Sequence, residues 1–460
     1  MSAEVTAAPV FRDGSALTPL GPEIHLFLSG GTSRSALGGV GLVHALVDCG
    51  RWARVRRIVS VSGGSMLNGA LLAGAGGPAL GASADDLGAA ADDPRPRANA
   101  LVHRLVRDRL RWYATPVRIA ATTALILVVI VSIVVCAAVA GLLPGLGRLS
   151  SGGVALVVGL ALPAVVITAA RWCIRTWFGD VVGVVTGTGA ALLADQVPTR
   201  QHVFCASGLS SAVPYYFWAG GETPSIPWGE PVQDDYTIVA AAEASGSLPG
   251  LGSVRAPQRF RSETLVDGGL SGIFGQQIDD TLQRDPDDAF RGDAQRVCLD
   301  AGRHNRADAK LMSRLTSVSL IYTLVRWVKS SLEATYVNDL SDWTDGELLR
   351  LSPDTQRATT AGDDEVGAAL NQLGAEVGRL GLFNLTADRA AATVAAGYVN
   401  AAQWIDEGLT AAAIAERLAE VDRSLDWGPR CAEAWRHACG ATRPSMLDRP
   451  DKKTKGSTST

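Results

Sequence analysis

Histidine is scarce. Six residues in 460 are His: His25, His44, His103, His202, His304 and His437. None stands in a setting that marks a triad base, so the sequence offers no Ser–acid–His order. His25 falls inside an apolar strand and His44 inside a helix, both structural positions, while His103 lies on a basic stretch. Cysteine is equally uninformative. The seven Cys (Cys49, Cys136, Cys173, Cys205, Cys298, Cys431, Cys439) are odd in number, scattered and without CxxC spacing. That argues against a disulfide framework or a zinc site and fits a reducing compartment. There is no basic surplus: the net charge is -4, so no nucleic-acid surface is expected. No G-x-x-x-x-G-K-[ST] phosphate loop is present. The start, MSAEVTAAPVFRDG, lacks the charged-then-apolar order of a signal peptide, so entry into a membrane would use an internal segment. Internal repeats are absent.

What is present alternates between strand and helix signals. Ile24–Leu28 is a short apolar run bounded by Pro22 and Gly30–Gly31 and reads as a buried strand. A glycine-rich loop follows, then Val40, Leu42, Val43, Leu46 and Val47 at helical spacing up to Gly50. Arg57–Val61 is a second strand, running through Ser62-Gly63-Gly64 into a helix of small residues. His202–Ala206 and Val297–Asp300 read as further strands, Ser262–Gly269 as a strand running into a tight turn, and Tyr236–Ala241 as a strand or helix start. Residues 311–336 and 364–425 read as helical, and the tail from Arg443 as disordered. The order predicts an α/β fold, a mostly parallel sheet flanked by helices with a helical C-terminal region.

One stretch stands apart. From Ile119 to Gly147 and again from Leu149 to Ala170 there is no charged residue. Each run exceeds the roughly 20 residues needed to cross the hydrocarbon core. A short Pro- and Gly-containing turn with Arg148 separates them, so the pattern predicts an inserted two-helix transmembrane hairpin. Arg104, Arg107, Arg109, Arg111 and Arg118 precede the first span, and Arg171 and Arg175 follow the second. Basic flanks stay cytoplasmic, which places the α/β part and both termini there. Trp112, Tyr113, Trp172 and Trp177 fall where interfacial aromatics belong. Two buried core helices are the bland alternative, disfavoured by the length of the uncharged runs.

Three loops can carry chemistry. Ser60-Val61-Ser62-Gly63-Gly64 has the form of a nucleophile elbow, which puts a Ser on a strained turn at a helix N-terminus. Small residues must flank the Ser because the backbone doubles back there. Alone, the motif is equally a tight βα turn. Ser29-Gly30-Gly31-Thr32-Ser33-Arg34 exposes successive N–H groups able to hold an oxyanion; alone it is an ordinary turn with a solvated Arg34. Asp267-Gly268-Gly269 sets a carboxylate after an apolar strand; alone Asp-Gly is a common turn pair.

In this order, SGGTSRS, SVSGG and VDGG resemble the oxyanion loop, the nucleophile elbow and the dyad Asp motif of the patatin-like phospholipase family. Phe204–Leu209, Ala244–Gly250 and Gly397-Tyr398 are similar to further family segments. The resemblance covers roughly 22–76, 180–302 and 375–405. It implies a serine esterase cleaving a lipid ester, a phospholipid or lysophospholipid, without metal or organic cofactor. Ser62 would be the nucleophile and Asp267 its base. Gly30 and Gly31, joined by Thr32 and Gly63, would hold the oxyanion, with Arg34 shaping that loop. Thr32, Ser35 and Ser60 stand where the family has Gly. Those departures favour an alternative, a catalytically weakened or inactive lipid-binding or scaffold membrane protein; a membrane assembly partner working through its hairpin is another.

The expected organisation is an N-terminal extension (1–21), the first part of the patatin-like domain (22–76), a linker and basic juxtamembrane segment (77–116) and the hairpin (117–178). The second part of the domain (179–310), a helical region (311–442) and a disordered tail (443–460) complete it. The Ala-rich composition suggests a bacterial source, which with the hairpin makes an inner membrane the expected location; the family resemblance implies a membrane lipid as the partner.

Overall fold

Ile24–Leu28 has no exposed residue, and it forms β1 at the centre of the sheet. The computed structural model describes residues 22–73, 93–108, 131, 178–196, 200–211, 213–220, 230–232, 236–247, 254–255, 263–272, 274–284, 294–301, 343, 346–351, 365–378, 380 and 385–441. β1 leads into α1 (Ser33–Asp48), then β2 (Val55–Val61), α2 (Gly64–Leu72) and α3 (Arg95–His103). Residues 178–186 are helical. The sheet resumes with β3 (Gln201–Gly208), β4 (Pro214–Ala219) and β5 (Glu230–Val232). α4 (Ile238–Gly246), β6 (Val254–Arg255), β7 (Thr264–Asp267), α5 (Gln276–Arg284), β8 (Gln295–Asp300) and β9 (Gly346–Arg350) follow. Four helices close the described chain: α6 (Glu365–Gly378), α7 (Ala387–Ile405), α8 (Ala411–Leu425) and α9 (Arg430–Ala441).

The strand order is β5-β4-β3-β2-β1-β8-β9, with β6 and β7 off this path. Five strands, β3-β2-β1-β8-β9, run parallel, and β4 is antiparallel to β3. The fold is therefore mixed α/β with a central sheet and flanking helices, as expected.

Side chains alternate across the sheet. Ile24, Leu26, Leu28, Ile58 and Phe204 join the larger core with the residues of α1, α2, α3, α4 and α6–α9. Phe27, Val59, Val61, Val203, Cys205 and Cys298 face the other way, onto Phe274, Ile278 and Leu282. α1 and α7 cross at backbone contact: a Cβ on Gly397 would overlap the Gly38 carbonyl. This close crossing accounts for the Gly-Tyr pair, whose Tyr398 hydroxyl donates to Asp48 at 3.0 Å.

A buried ionic row lies near the N-terminal ends of the parallel strands. His25 is in register with Arg57 and Arg296, and Arg57 with Gln201. Asp279 of α5 meets His25 Nδ1 at 2.7 Å, Arg57 Nη1 at 2.7 Å and Arg296 Nε at 3.0 Å. Burial alone would raise the Asp279 carboxyl, but the His25 and Arg57 contacts outweigh it and hold it at about 2. The row clamps α5 to the sheet.

Several elements differ from expectation. Residues 95–103, read as part of a linker, form α3, which buries Ala98, Leu101 and Val102. The Gly, Ala, Asp and Pro content of 77–97, Pro94 and Pro96 included, reads as a linker, yet Pro in a first helical turn removes no intrahelical hydrogen bond. β4 (PYYFWA) is an aromatic strand opened by Pro, and β9 (GELLR) is short and half polar; neither carries a clean alternation. Residues 364–425, read as one helical stretch, form α6, α7 and α8, the latter two started by Thr386 and Thr410 side-chain caps. Among the described residues no helix is long and apolar enough to cross a membrane. The predicted hairpin (117–178) lies outside the described residues apart from Val131 and Phe178, as do the predicted helix at 311–336 and the tail.

Candidate functional site

The topology brings Ser62 and Asp267 together along one edge of β3. β4 occupies the other edge, from His202 to Ser207. On the remaining edge β2 pairs parallel with β3 as far as Val61 opposite Cys205. There β2 stops, and β7 takes over antiparallel, with Asp267 opposite Ala206. The two strand ends meet head-on, so the residue after β2 and the last residue of β7 are neighbours, although 205 positions separate them in sequence.

Ser62 sits at φ +52, a left-handed conformation that costs a non-glycine residue free energy. Its Oγ donates to Asp267 Oδ2 at 2.6 Å. Asp267 Oδ1 accepts from the Gly269 N–H at 2.8 Å. Gly268 is required by closeness, since a Cβ there would overlap the Cys205 carbonyl. Burial raises the Asp267 carboxyl to about 6, against the opposing pull of its hydrogen bonds from Ser62 and Gly269. It is therefore an ionised but weakly solvated carboxylate near neutral pH, suited to accepting the serine proton.

The glycine-rich loop lies against the elbow. A Cβ on Gly63 would overlap the Thr32 backbone. Within the loop the carbonyls are held down. The Ser29 hydroxyl donates to the Gly30 carbonyl at 3.1 Å and itself accepts from the Ala301 N–H at 2.9 Å. The Gly31 carbonyl receives the Thr32 hydroxyl at 2.7 Å, the Arg34 N–H at 3.2 Å and Arg34 Nε at 3.4 Å. In a planar trans peptide the C=O and the next N–H point in opposite directions. Fixing the Gly30 and Gly31 carbonyls therefore turns the N–H groups of Gly31 and Thr32 away from their holders. Among the described residues, the N–H groups of Gly30, Gly31, Thr32 and Gly63 meet no hydrogen-bond acceptor. Such a set can stabilise an oxyanion.

Two of the three non-glycine departures have a visible place. Thr32 adopts φ +55 with its hydroxyl on the Gly31 carbonyl. Ser60 Oγ donates to the Val203 carbonyl at 3.0 Å and receives Asn68 Nδ2 at 2.8 Å and the Ser65 hydroxyl at 3.0 Å. Ser35 is buried in the first turn of α1, and its hydroxyl meets no acceptor among the described residues.

Sequence reasoning missed the residues behind the elbow. The Ser62 N–H donates to Ser245 Oγ at 3.0 Å, and the Ser245 and Ser65 hydroxyls are 2.7 Å apart. Asn68 Oδ1 meets His202 Nδ1 at 2.6 Å. Burial lowers His202 to about 3 and His44 to about 4, so both rings are neutral. His44 pairs with Asn99, and His25 with Asp279. Among the described residues, Asp267 rather than a histidine receives the Ser62 hydroxyl. For Ser245 the signal was the Ala244–Gly250 segment; for Ser65 and Asn68 it was the density of small polar residues, which share a face with Ser60 once α2 folds back on β2. No group of His, Cys, Asp and Glu able to hold a metal occurs among the described residues.

No family model matches the chain, and no curated protein does. Among solved structures it is similar to VipD from Legionella pneumophila, at 12% identity over 92% of this chain and 75% of that one, with a TM-score of 0.31. It is also similar to human GIVD cytosolic phospholipase A2, at 10% identity over 91% of this chain and 60% of that one, with a TM-score of 0.35. The chain thus spans about 60% of the length of the human enzyme. At such identities and TM-scores, neither likeness bears on the chemistry, which rests on the residues above.

Proposed function

We propose that the protein is a serine hydrolase of lipid esters, built on the patatin-like plan and working through a Ser62–Asp267 dyad. The observation that carries this reading is the 2.6 Å hydrogen bond from a left-handed Ser62 at a strand–helix turn to a buried carboxylate. Ser62 Oγ attacks the ester carbonyl while its proton passes to Asp267 Oδ2. The carbonyl oxygen becomes an oxyanion held by N–H groups of Gly30, Gly31, Thr32 and Gly63, with Arg34 fixing the loop. The C–O bond to the alcohol breaks, and the alcohol leaves with the proton from Asp267. Water then attacks the acyl-enzyme, giving its proton to Asp267. Collapse of this second intermediate breaks the Ser62–acyl bond, releases the carboxylic acid and returns the proton to Ser62. Each step closes with the residues named and water.

The uncharged runs at 119–147 and 149–170 support a membrane anchor, their basic flanks a dyad on the cytoplasmic side, and the Ala-rich composition a bacterial inner membrane. Tethering there would present lipid esters at high effective concentration.

The test is labelling of membranes by a fluorophosphonate, which forms a Ser62 Oγ–P bond as fluoride leaves. Wild type labels, and Ser62→Ala and Asp267→Ala, folded and membrane-inserted, do not. A well-folded wild type that takes no label overturns the enzyme reading in favour of a lipid-binding or scaffold protein.

A further inference from the structure

The geometry points to Ser245–Ser247, the end of α4, as a positioning clamp that grips both members of the dyad and sets the distance between them. The inference rests on Ser62 and Asp267 being the reacting pair.

Ser62 and Asp267 come from opposite directions along β3 and are not joined by a strand ladder to each other. Something must fix one relative to the other. Ser245 Oγ accepts the Ser62 N–H at 3.0 Å. Two residues on, the Ser247 carbonyl accepts the Asp267 N–H at 2.7 Å. Nucleophile and base thus hang from one three-residue segment. Gly246 between them fits under Phe178, where a Cβ would lie 3.3 Å from the ring. Ser247 is anchored in turn, its hydroxyl donating to the Glu243 carbonyl at 2.6 Å. Ser245 is anchored by the Ser65 hydroxyl at 2.7 Å, which continues to Ser60, Asn68 and His202. All of Ser60, Ser65, Asn68, Ser245 and Ser247 are fully buried.

The clamp has a chemical consequence. A residue at φ +52 relaxes unless its surroundings over-determine it. The Ser245 hydroxyl gives the Ser62 N–H a buried acceptor, which holds the left-handed turn and aims Oγ at Asp267. It also removes the Ser62 N–H from the set that faces an oxyanion. Deleting the hydroxyl leaves a buried N–H unpaired and lets the elbow relax, so the cost falls on the aim of the nucleophile.

The experiment compares Ser245→Ala with wild type by the rate of fluorophosphonate labelling across pH and by kcat and KM on the soluble ester p-nitrophenyl butyrate. Thr393→Val is the control; it deletes another fully buried hydroxyl, bonded to the Arg389 carbonyl within α7 and to neither member of the dyad. For Ser245→Ala the labelling rate and kcat per folded molecule fall about tenfold or more. KM and the pH midpoint stay as in wild type. Thr393→Val labels at the wild-type rate per folded molecule. Should Ser245→Ala not fold, the isosteric pair Ser245→Thr and Ser245→Val carries the comparison, with Thr the faster. A Ser245→Ala protein that labels like wild type, or a Thr and Val pair that label alike, overturns the clamp and leaves the dyad standing. A wild type that does not label overturns the dyad itself.

Discussion

Gly63 and Thr32 touch backbone to backbone, so the turn that carries Ser62 and the loop that faces it form one surface. No side chain can be added between them. Gly63→Ala is expected to push the two loops apart, displacing the N–H groups of Thr32 and of residue 63 together. Loss of one oxyanion donor costs about 3 kcal/mol in hydrolases, so the labelling rate should fall by at least a hundredfold. A Gly63→Ala protein that labels at the wild-type rate would show that the contact is dispensable.

The raised carboxyl of Asp267 makes a pH prediction. A serine proton can be accepted only by the ionised form, whose midpoint lies at about 6. Labelling by a fluorophosphonate should therefore rise with pH through about 6 and level off above 7. A midpoint near 4, the range of a solvated carboxylate, would mean that Asp267 is not the base or is not buried in the working protein.

The central parallel strands and the three loops that meet at Ser62 were legible in the sequence because each is a local signal. Ile24–Leu28 is a bare apolar run, and Ser62 and Asp267 each stand beside glycines. Other features were illegible for a physical reason. β4 and β9 pair along β3 and β8, and short strands without alternation give no periodic signal. Ser245 lies in the Ala244–Gly250 segment, but its hydrogen bond is to a partner 183 residues away, which no local pattern shows. Pro94 and Pro96 spoke for a linker because their tolerance in a helix's first turn depends on where the helix begins.

Asp279 should matter to stability more than to chemistry. It is fully buried and neutralises Arg57 and Arg296 beneath the sheet. Removing one partner of a buried ionic cluster leaves an uncompensated charge, at a cost of about 3–5 kcal/mol. Asp279→Ala should lower the urea midpoint markedly, while the folded fraction keeps the wild-type pH midpoint of labelling. Its low carboxyl gives the stability a sign: the contribution of Asp279 is complete above pH 4 and is lost as pH falls toward about 2. An Asp279→Ala protein as stable as wild type at pH 7 would remove this row from the list of stabilising features.

Asp267 should behave in the opposite way. Its carboxyl lies at about 6 in the folded protein, against 3.8 unfolded. Below the unfolded value both states hold the proton and burial carries no ionic cost. Between about 4 and 6 the unfolded chain has lost the proton while the folded one retains it, so stability falls as pH rises. Above 6 the penalty is complete, about 3 kcal/mol for a shift of about two units. Asp267→Asn keeps the shape and cannot ionise. It should abolish labelling and, at pH 8, raise the melting temperature above that of wild type, with the gain vanishing near pH 4. Function and stability would then oppose each other at one residue, as expected where a site holds an unfavourable charge for use. If Asp267→Asn melts at or below wild type at pH 8, the folded carboxylate is well solvated or well paired, and Asp267 is not the strained base proposed here.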